Sequence, residues 1–325
     1  MDVPVKRSSA LRSLAGIAAL AVRPAATLAQ AAPQLRIGVL AGDASAEPLY
    51  AQQSGIFKHR VIAAQLVPFA NDAAVLAALT GGSIDVGYTG VIPMANAINA
   101  DVPILMLAPA AAFTSSAPDV LLYRARGSAL ASGADLKGKT IAVAAPNSLA
   151  SVAASTWIDA NGGDAKTAKF VTLAPSLMAN ALAQKTVDAA VIPEPDATVA
   201  NAAIEKLGDA YGAIATDFTV SAFIATADWA AANDDLAKQF VAAIVDTAHW
   251  ANAHRTASAK FLTAASDLDP SVAAAMTRTT FGETISAPTL APPLQAAVTY
   301  GALAFTASVI GIMAAAQPYW SAVRR

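Results

Sequence analysis

Residues 78–87, Ala-Leu-Thr-Gly-Gly-Ser-Ile-Asp-Val-Gly, are echoed 103 positions later by residues 181–190, Ala-Leu-Ala-Gln-Lys-Thr-Val-Asp-Ala-Ala. In both, an Ala/Leu-rich helix end gives way to a polar turn, then to a β-branched residue, an aspartate and a short apolar run with strand character. Upstream, Arg36-Ile37-Gly38-Val39 is matched by Thr140-Ile141-Ala142-Val143 at an offset of 104. Each block therefore runs strand, polar turn, helix, second strand, polar turn, which implies two similar α/β lobes with parallel-rich sheets.

In the first lobe the pattern predicts strands over 35–40, 61–69 and 84–88, and helices over 47–54 and 73–80, the second capped by Asn71-Asp72 and stopped by Gly81-Gly82. In the second it predicts strands over 139–145, 170–173 and 187–192, and helices over 149–161 and 177–184. Two further extended runs, 119–124 and 219–226, suit crossings between the lobes. The remainder, 234–255, 258–266 and 271–278, reads as helix, with breaks at Asp269-Pro270 and Pro292-Pro293. The expected organisation is a leader over 1–31, a discontinuous first lobe of 32–118 plus 220–325, and a second lobe of 119–219.

A chain of 325 residues is long enough for two such lobes. Lys and Arg number 21 against 23 Asp and Glu, and without a long basic run there is no electrostatic footprint for nucleic acid or for an anionic membrane surface. Cysteine is absent, which excludes disulfides, thiolate catalysis and cysteine-ligated metal sites. Lys6, Arg7 and Arg12 precede a small apolar run at 13–22, and Ala29-Gln30-Ala31 offers the small-x-small pattern of a signal-peptidase site. Export to the periplasm is the expectation, with a disordered cytosolic leader as the alternative. Residues 294–316 are long enough to cross a bilayer, but Gln295, Thr299, Gly301, Thr306, Ser308 and Gly311 dilute them, so helices packed on the protein are expected rather than an anchor.

In parallel α/β sheets, ligands bind beyond the carboxyl ends of the strands, where backbone N–H groups and helix N-termini converge. That selects Asp43, Ser45 and Glu47 after the first strand and Thr89-Gly90 after the strand at Asp85. In the second lobe it selects Asn147-Ser148-Leu149 and Glu194 between two prolines. Ser115, Ser116 and Ser221, at the proposed crossings, also fall toward the cleft. Each has a plainer reading. Asn147 and Ser148 cap the helix that follows, Glu194 is an exposed loop acid or the partner of a ligand amine, and Thr89-Gly90 is a turn or a close backbone approach to ligand. Tyr50 and Tyr88 line a ligand or fill core, and Trp157 fills core.

No catalytic constellation assembles. His59, His249 and His254 have no HExxH spacing or acidic cluster beside them, and GxSxG, GxGxxG and GxxxxGK[ST] are all missing, so neither a cofactor nor a metal is expected.

Taken in order, Leu35-Arg36-Ile37-Gly38, residues 81–90, residues 135–143 and Val187-Asp188-Ala189 with Pro193-Glu194-Pro195 resemble the aliphatic sulfonate, taurine and nitrate branch of ABC-transporter substrate-binding proteins, over about 35–316. The resemblance implies a type II periplasmic binding fold whose lobes close on a small polar ligand, a monomer delivering it to a membrane permease. The family's binding loops fall on the turns already selected, Asp43 to Glu47, Thr89-Gly90, Ser115-Ser116, Asn147 to Leu149 and Glu194. No Arg or Lys lies in those loops, and Asp43, Glu47 and Glu194 would repel a bare anion. A zwitterion such as taurine, or a neutral or aminated heterocycle like those of the thiamin-precursor relatives, suits those charges better than nitrate. A receptor feeding a membrane sensor shares these features. Enzymes of the related pyrimidine-synthase and dipyrromethane-deaminase types depend on cysteines that this chain lacks.

Overall fold

The computed structural model describes residues 34–320 and 323; the expected leader lies outside them. The two echoed blocks fold alike. Strand β1 (Leu35–Val39) lies between β2 (Ala64–Pro68) and β3 (Val86–Gly90), parallel to both. After the edge strand β4 (Ile104–Pro109) and the short β5 (Ala111–Thr114) comes β6 (Val120–Ala125). The second block then repeats the first, with β7 (Thr140–Val143) between β8 (Lys169–Thr172) and β9 (Ala189–Pro193), again parallel. Strands β10 (Ile204–Gly208), β11 (Asp217–Thr219), β12 (Ser221–Thr226) and β13 (Thr280–Phe281) complete the set. Sheet orders are β2-β1-β3-β12-β4 and β8-β7-β9-β6-β10, the same arrangement twice, with a small β11-β5-β13 sheet beside them.

The two aspartates of the echo make the same local device. Asp85 accepts the Arg36 backbone N–H at 2.8 Å and returns its own N–H to the Arg36 carbonyl at 2.9 Å. Asp188 accepts from Thr140 N–H at 2.9 Å and donates back to the Thr140 carbonyl at 2.8 Å. Each carboxylate thus locks the start of the first strand of its block to the start of the third. The Arg36 side chain adds a two-pronged contact with Asp85, at 3.1 and 2.6 Å, whereas Lys139 reaches Asp188 with one bond at 3.1 Å. Because Asp85 is the less exposed acid, 12% against 35% for Asp188, Arg36→Met is expected to lower stability by about 1 kcal/mol and Lys139→Met by less than half of that. Urea midpoints of the two variants check the order.

The predicted caps form as read. Asn71 accepts from the Ala74 N–H at 3.0 Å at the head of helix Asp72–Thr80, and Ser148 accepts from Ser151 N–H at the head of helix Leu149–Ala160. That first helix lies so close on the sheet that a Cβ at Gly87 would stand 2.6 Å from Val75 Cγ1, so only glycine fits there.

Three expectations are corrected. The runs read as lobe crossings are the fourth strand of each sheet: β6 pairs antiparallel with β9, and β12 antiparallel with β3. The chain passes between sheets just outside them, through β5 and β11, which pair with each other. Helix Ala287–Thr299 runs through Pro292 and Pro293 instead of breaking, because Leu290, Pro293, Leu294 and Ala297 bury one face and packing outweighs the two lost N–H donors. The strand predicted over 61–69 begins only at Ala64, since Val61 is 91% exposed with φ +56° and belongs to the turn.

Apolar residues from both sheets and the helices packed on them share one core: Val75, Met106, Leu122, Ile141, Trp157 and Leu290 belong to a single cluster, which holds the two halves within one unit. Beside the passages Phe113 stacks on Phe218 at 5.1 Å, with Tyr211 against both. Helix Asp234–Ala253 backs the first sheet through Phe240, which meets Phe223 of β12 edge to face at 5.6 Å. The apolar C-terminal stretch forms helices that pack on the protein: Ile312, Ala316 and Tyr319 are buried, and Trp320 donates its indole N–H to the Leu107 carbonyl at 2.7 Å. Among the described residues no helix is long and apolar enough to cross a membrane.

Candidate functional site

A cavity of about 570 Å³ lies at the carboxyl ends of β1 and β9, the place that the topology of parallel strands assigns to ligands. Residues 41–44 after β1, residues 193–196 after β9, Asp119 and Val120 at the start of β6, Pro175 and Ser176, and the segment from Leu262 to Thr279 wall it. Prolines, Val120, Leu262, Leu268 and Met276 give an apolar lining, and Asp43, Asp119, Glu194, Asp196 and Asp267 supply carboxylates. Both sheets therefore contribute.

Gly42, at φ +102°, turns the chain out of β1 so that Asp43 points inward. Asp43 is not free to meet a ligand. Arg278 grips it with Nε at 2.6 Å and Nη2 at 2.8 Å, both side chains being under a tenth exposed. Thr279 N–H adds a bond at 3.1 Å and Tyr50 donates its hydroxyl at 2.5 Å. Arg278 also donates to the Tyr50 oxygen and to the Arg255 carbonyl. Burial, reinforced by Asp43, raises the Tyr50 hydroxyl pKa well above its ordinary value. Asp43 thus ties the β1 loop to the C-terminal part of the chain, and its charge is neutralised by a basic residue outside the loops selected from the sequence.

Asp119, on the cavity wall, accepts from Thr279 Oγ1 at 2.8 Å. Burial pushes its carboxyl up to about 6, against the lowering effect of that hydrogen bond, and the neighbouring Asp43 and Glu194 charges add to the rise. Glu194 hydrogen-bonds through its backbone N–H to the Asp119 carbonyl at 2.8 Å, while its carboxylate accepts from Thr198 N–H at 3.0 Å and so caps the short helix Asp196–Val199. Its half-exposed side chain keeps acceptor capacity toward the cavity.

Behind the β1 loop, Glu47 is fully buried and lines no part of the cavity, with neither carboxyl oxygen hydrogen-bonded. Desolvation drives its pKa well above the usual carboxylate range. Tyr88 lies near it, buried, its hydroxyl bonded to Ser221; burial raises that hydroxyl, and Asp72, Asp119 and Glu47 are all close enough to raise it further. Thr89 is fully buried and donates to Asp72 Oδ1 at 2.9 Å, and Gly90 N–H reaches the same oxygen at 2.7 Å. Ser221 accepts from Ala111 N–H at 3.0 Å.

The remaining selected residues are more dispersed. Ser45 is buried and donates to the Leu40 carbonyl. Ser115 and Ser116 are exposed, the latter bonded to Thr114. Asn147, at φ +50°, lines a separate cavity of about 130 Å³ with Ser151, Phe170 and Tyr300, next to Ser148 and the buried Leu149. Of the twelve, Asp43 and Glu194 line the large cavity, whereas Glu47, Thr89, Gly90 and Ser221 lie near Tyr88 and do not line it. Sequence reasoning missed Asp119, Arg278 and Asp72 as shapers of the site; Asp119 stood in plain view at the head of a predicted strand, whereas Arg278 carried no local signal. Among the described residues no group of three or more His, Asp or Glu is placed to hold a metal ion.

The sequence model of the NMT1-like family matches residues 29–265. The chain belongs to that family. No curated protein matches it by sequence. The fold of this NMT1-like chain is that of periplasmic binding proteins, as the following solved structures demonstrate. The periplasmic aliphatic sulphonate-binding protein SsuA from Escherichia coli superposes with a TM-score of 0.71 at 22% identity, covering 86% of this chain and 91% of that one. The alkanesulfonate-binding protein SsuA from Xanthomonas axonopodis pv. citri, bound to MOPS, gives 0.67 at 24%, covering 87% and 97%. The periplasmic nitrate-binding protein NrtA from Synechocystis PCC 6803 gives 0.70 at 15%, covering 90% and 88%. The resemblance read from residues 81–90 and 187–195 is therefore borne out at the level of family and fold.

Proposed function

We propose that the protein is the extracytoplasmic solute-binding component of an ABC importer, capturing a small polar ligand between two lobes and presenting it to a membrane permease. The observation that carries this reading is the cavity at the carboxyl ends of β1 and β9, walled by loops of both sheets. Structural neighbours that bind sulfonates and nitrate support it. On this reading residues 1–31 are a signal peptide, 32–118 with 220–325 form one lobe and 119–219 the other, and the protein acts as a periplasmic monomer without catalysis. Glu194 faces the ligand, with Ser45, Glu47, Thr89, Gly90, Ser115, Ser116, Asn147 to Leu149 and Ser221 joining as the lobes move. Asp43 acts through the geometry of its loop.

A ligand that touches both lobes does so only in the closed form and shifts the population toward it by its differential affinity. Native mass spectrometry of protein purified without denaturation is expected to reveal a retained solute, and small-angle scattering to show a smaller radius of gyration with that solute than after its removal. An unchanged scattering profile at saturation would argue for a rigid pocket and against capture by closure.

A further inference from the structure

A second cavity, of about 590 Å³, lies at the opposite pole of the second sheet, where β6 ends and β7 and β9 begin. Strand β6 links the two: Val120, its first residue, walls the cavity described above, and Ala125, its last, walls this one, about 20 Å away at the rise of an extended chain. Leu130, Leu182 and Val187 make part of the lining apolar. Arg126, Lys139 and Lys185 line it against Asp135 and Asp188, and both acids are already engaged. Asp188 accepts from Thr140 N–H and Lys139 Nζ, and Asp135 from the N–H groups of Ala131 and Ser132 and the Ser132 hydroxyl. Several donors are not. Among the described residues the Lys185 ammonium, Arg126 Nη1 and the backbone N–H groups of Gly127 and Ala129 have no partner, while Arg126 Nε and Nη2 are tied to the carbonyls of Ala202, Asn201 and Ile204 and hold the guanidinium in place. The duplication supplies a control for Lys185. Its counterpart 103 positions earlier is Gly82, at φ +71°, whereas Lys185 holds φ +59°, a conformation that favours glycine. The second block therefore keeps a lysine at a backbone cost that the first block avoids.

We infer that this cavity is a second binding site, separate from the cleft between the sheets, for a small molecule that carries an oxyanion, a carboxylate or a phosphate, on an apolar body. The inference stands apart from the solute-binding reading and goes beyond it. An oxyanion has lone pairs enough for the Lys185 ammonium, Arg126 Nη1 and the turn N–H groups together, and its bonds to the two cations are charge-assisted. Successive backbone N–H groups of a turn are suited to anions. The apolar lining takes the body of the molecule, and the volume lies in the range of small-molecule sites.

The test uses the full chain at pH 7 and low salt, with phenyl phosphate, benzoate, inorganic phosphate and uncharged benzyl alcohol as probes. Calorimetry is expected to show binding of phenyl phosphate or benzoate, tighter than that of inorganic phosphate, and none of benzyl alcohol; the tighter of the first two names the oxyanion. Lys185→Gly, which restores the residue of the first block, should weaken that binding at least about tenfold while the ligand-free melting temperature equals or exceeds that of the wild type. Lys185→Glu should weaken it at least as much. Four results overturn the inference. They are no binding of either aromatic oxyanion, equal binding of benzyl alcohol, binding unaltered in both Lys185 variants, which would put the anion in the cleft between the sheets, or a Lys185→Gly protein that melts lower than the wild type, which would make the lysine a structural group. A solute retained on native purification leaves the receptor reading standing whichever of these is found.

Discussion

Arg278→Met is expected to destabilise the protein by about 3–5 kcal/mol, the usual loss when one partner of a buried ion pair is removed and the other charge is left behind. The pair qualifies because both side chains are almost completely out of water, at 7% and 6% exposure, and because the contact is two-pronged. With the guanidinium gone, Asp43 keeps its bonds from Thr279 N–H and Tyr50 but loses its directly bonded counter-charge, with only the more distant Arg255 cation remaining, and Tyr50 loses a donor. The double variant Asp43→Asn, Arg278→Met removes both charges and is expected to recover most of the loss, since much of the single-variant penalty is the stranded carboxylate. Urea unfolding of wild type, both single variants and the double closes the cycle. A loss under about 1 kcal/mol for Arg278→Met would mean that water reaches Asp43 and that the pair does not fix the cavity wall.

That pair also explains what the sequence left unread. Asp43 and Arg278 are 235 positions apart, and nothing local to Asp43 distinguishes an acid that awaits a ligand from one that already has a partner. The doubling was legible because Asp85 and Asp188 do the same short-range work in each block, so the constraint recurs in the residues themselves. The caps at Asn71 and Ser148 were legible for the same reason, since a cap acts within three residues. The assignment of 120–125 and 221–226 to sheets was not, because strand composition says that a segment is extended and buried without saying which neighbour it pairs with. Of the turns that sheet topology selects, those after β1 and β9 wall the cavity and those after β3 and β7 do not. Topology could not rank their side chains, since that ranking depends on which acids the rest of the chain has already satisfied.

Asp119 is the second group whose replacement should move stability by a large amount, and here the sign is the reverse of the Arg278 case. Burial raises its carboxyl from the ordinary 3.8 to about 6, so the folded protein holds a proton more tightly than the unfolded chain does. Well below pH 3.8 both states are protonated and Asp119 costs nothing. Between about 4 and 6 the unfolded chain ionises first, and stability falls as pH rises. Above 6 the full penalty applies and stays constant, up to about 3 kcal/mol for a shift of this size, less whatever hydration the cavity side supplies. Asp119→Asn keeps an acceptor for the Thr279 hydroxyl at 2.8 Å and removes the ionisation. The variant is therefore expected to match the wild type near pH 3 and to exceed it by up to about 3 kcal/mol at pH 8, with the difference growing through the window from about 4 to 6. Urea midpoints measured in parallel across that range isolate the effect, because every other titrating group is common to both proteins. A difference that is flat with pH would mean that Asp119 ionises alike in folded and unfolded chains. The same proton matters at the cavity: near pH 5 a wall carboxyl at Asp119 is neutral and at pH 8 it is negative, so a ligand carrying a nitrogen cation should bind the wild type more tightly at pH 8, and Asp119→Asn should flatten that dependence.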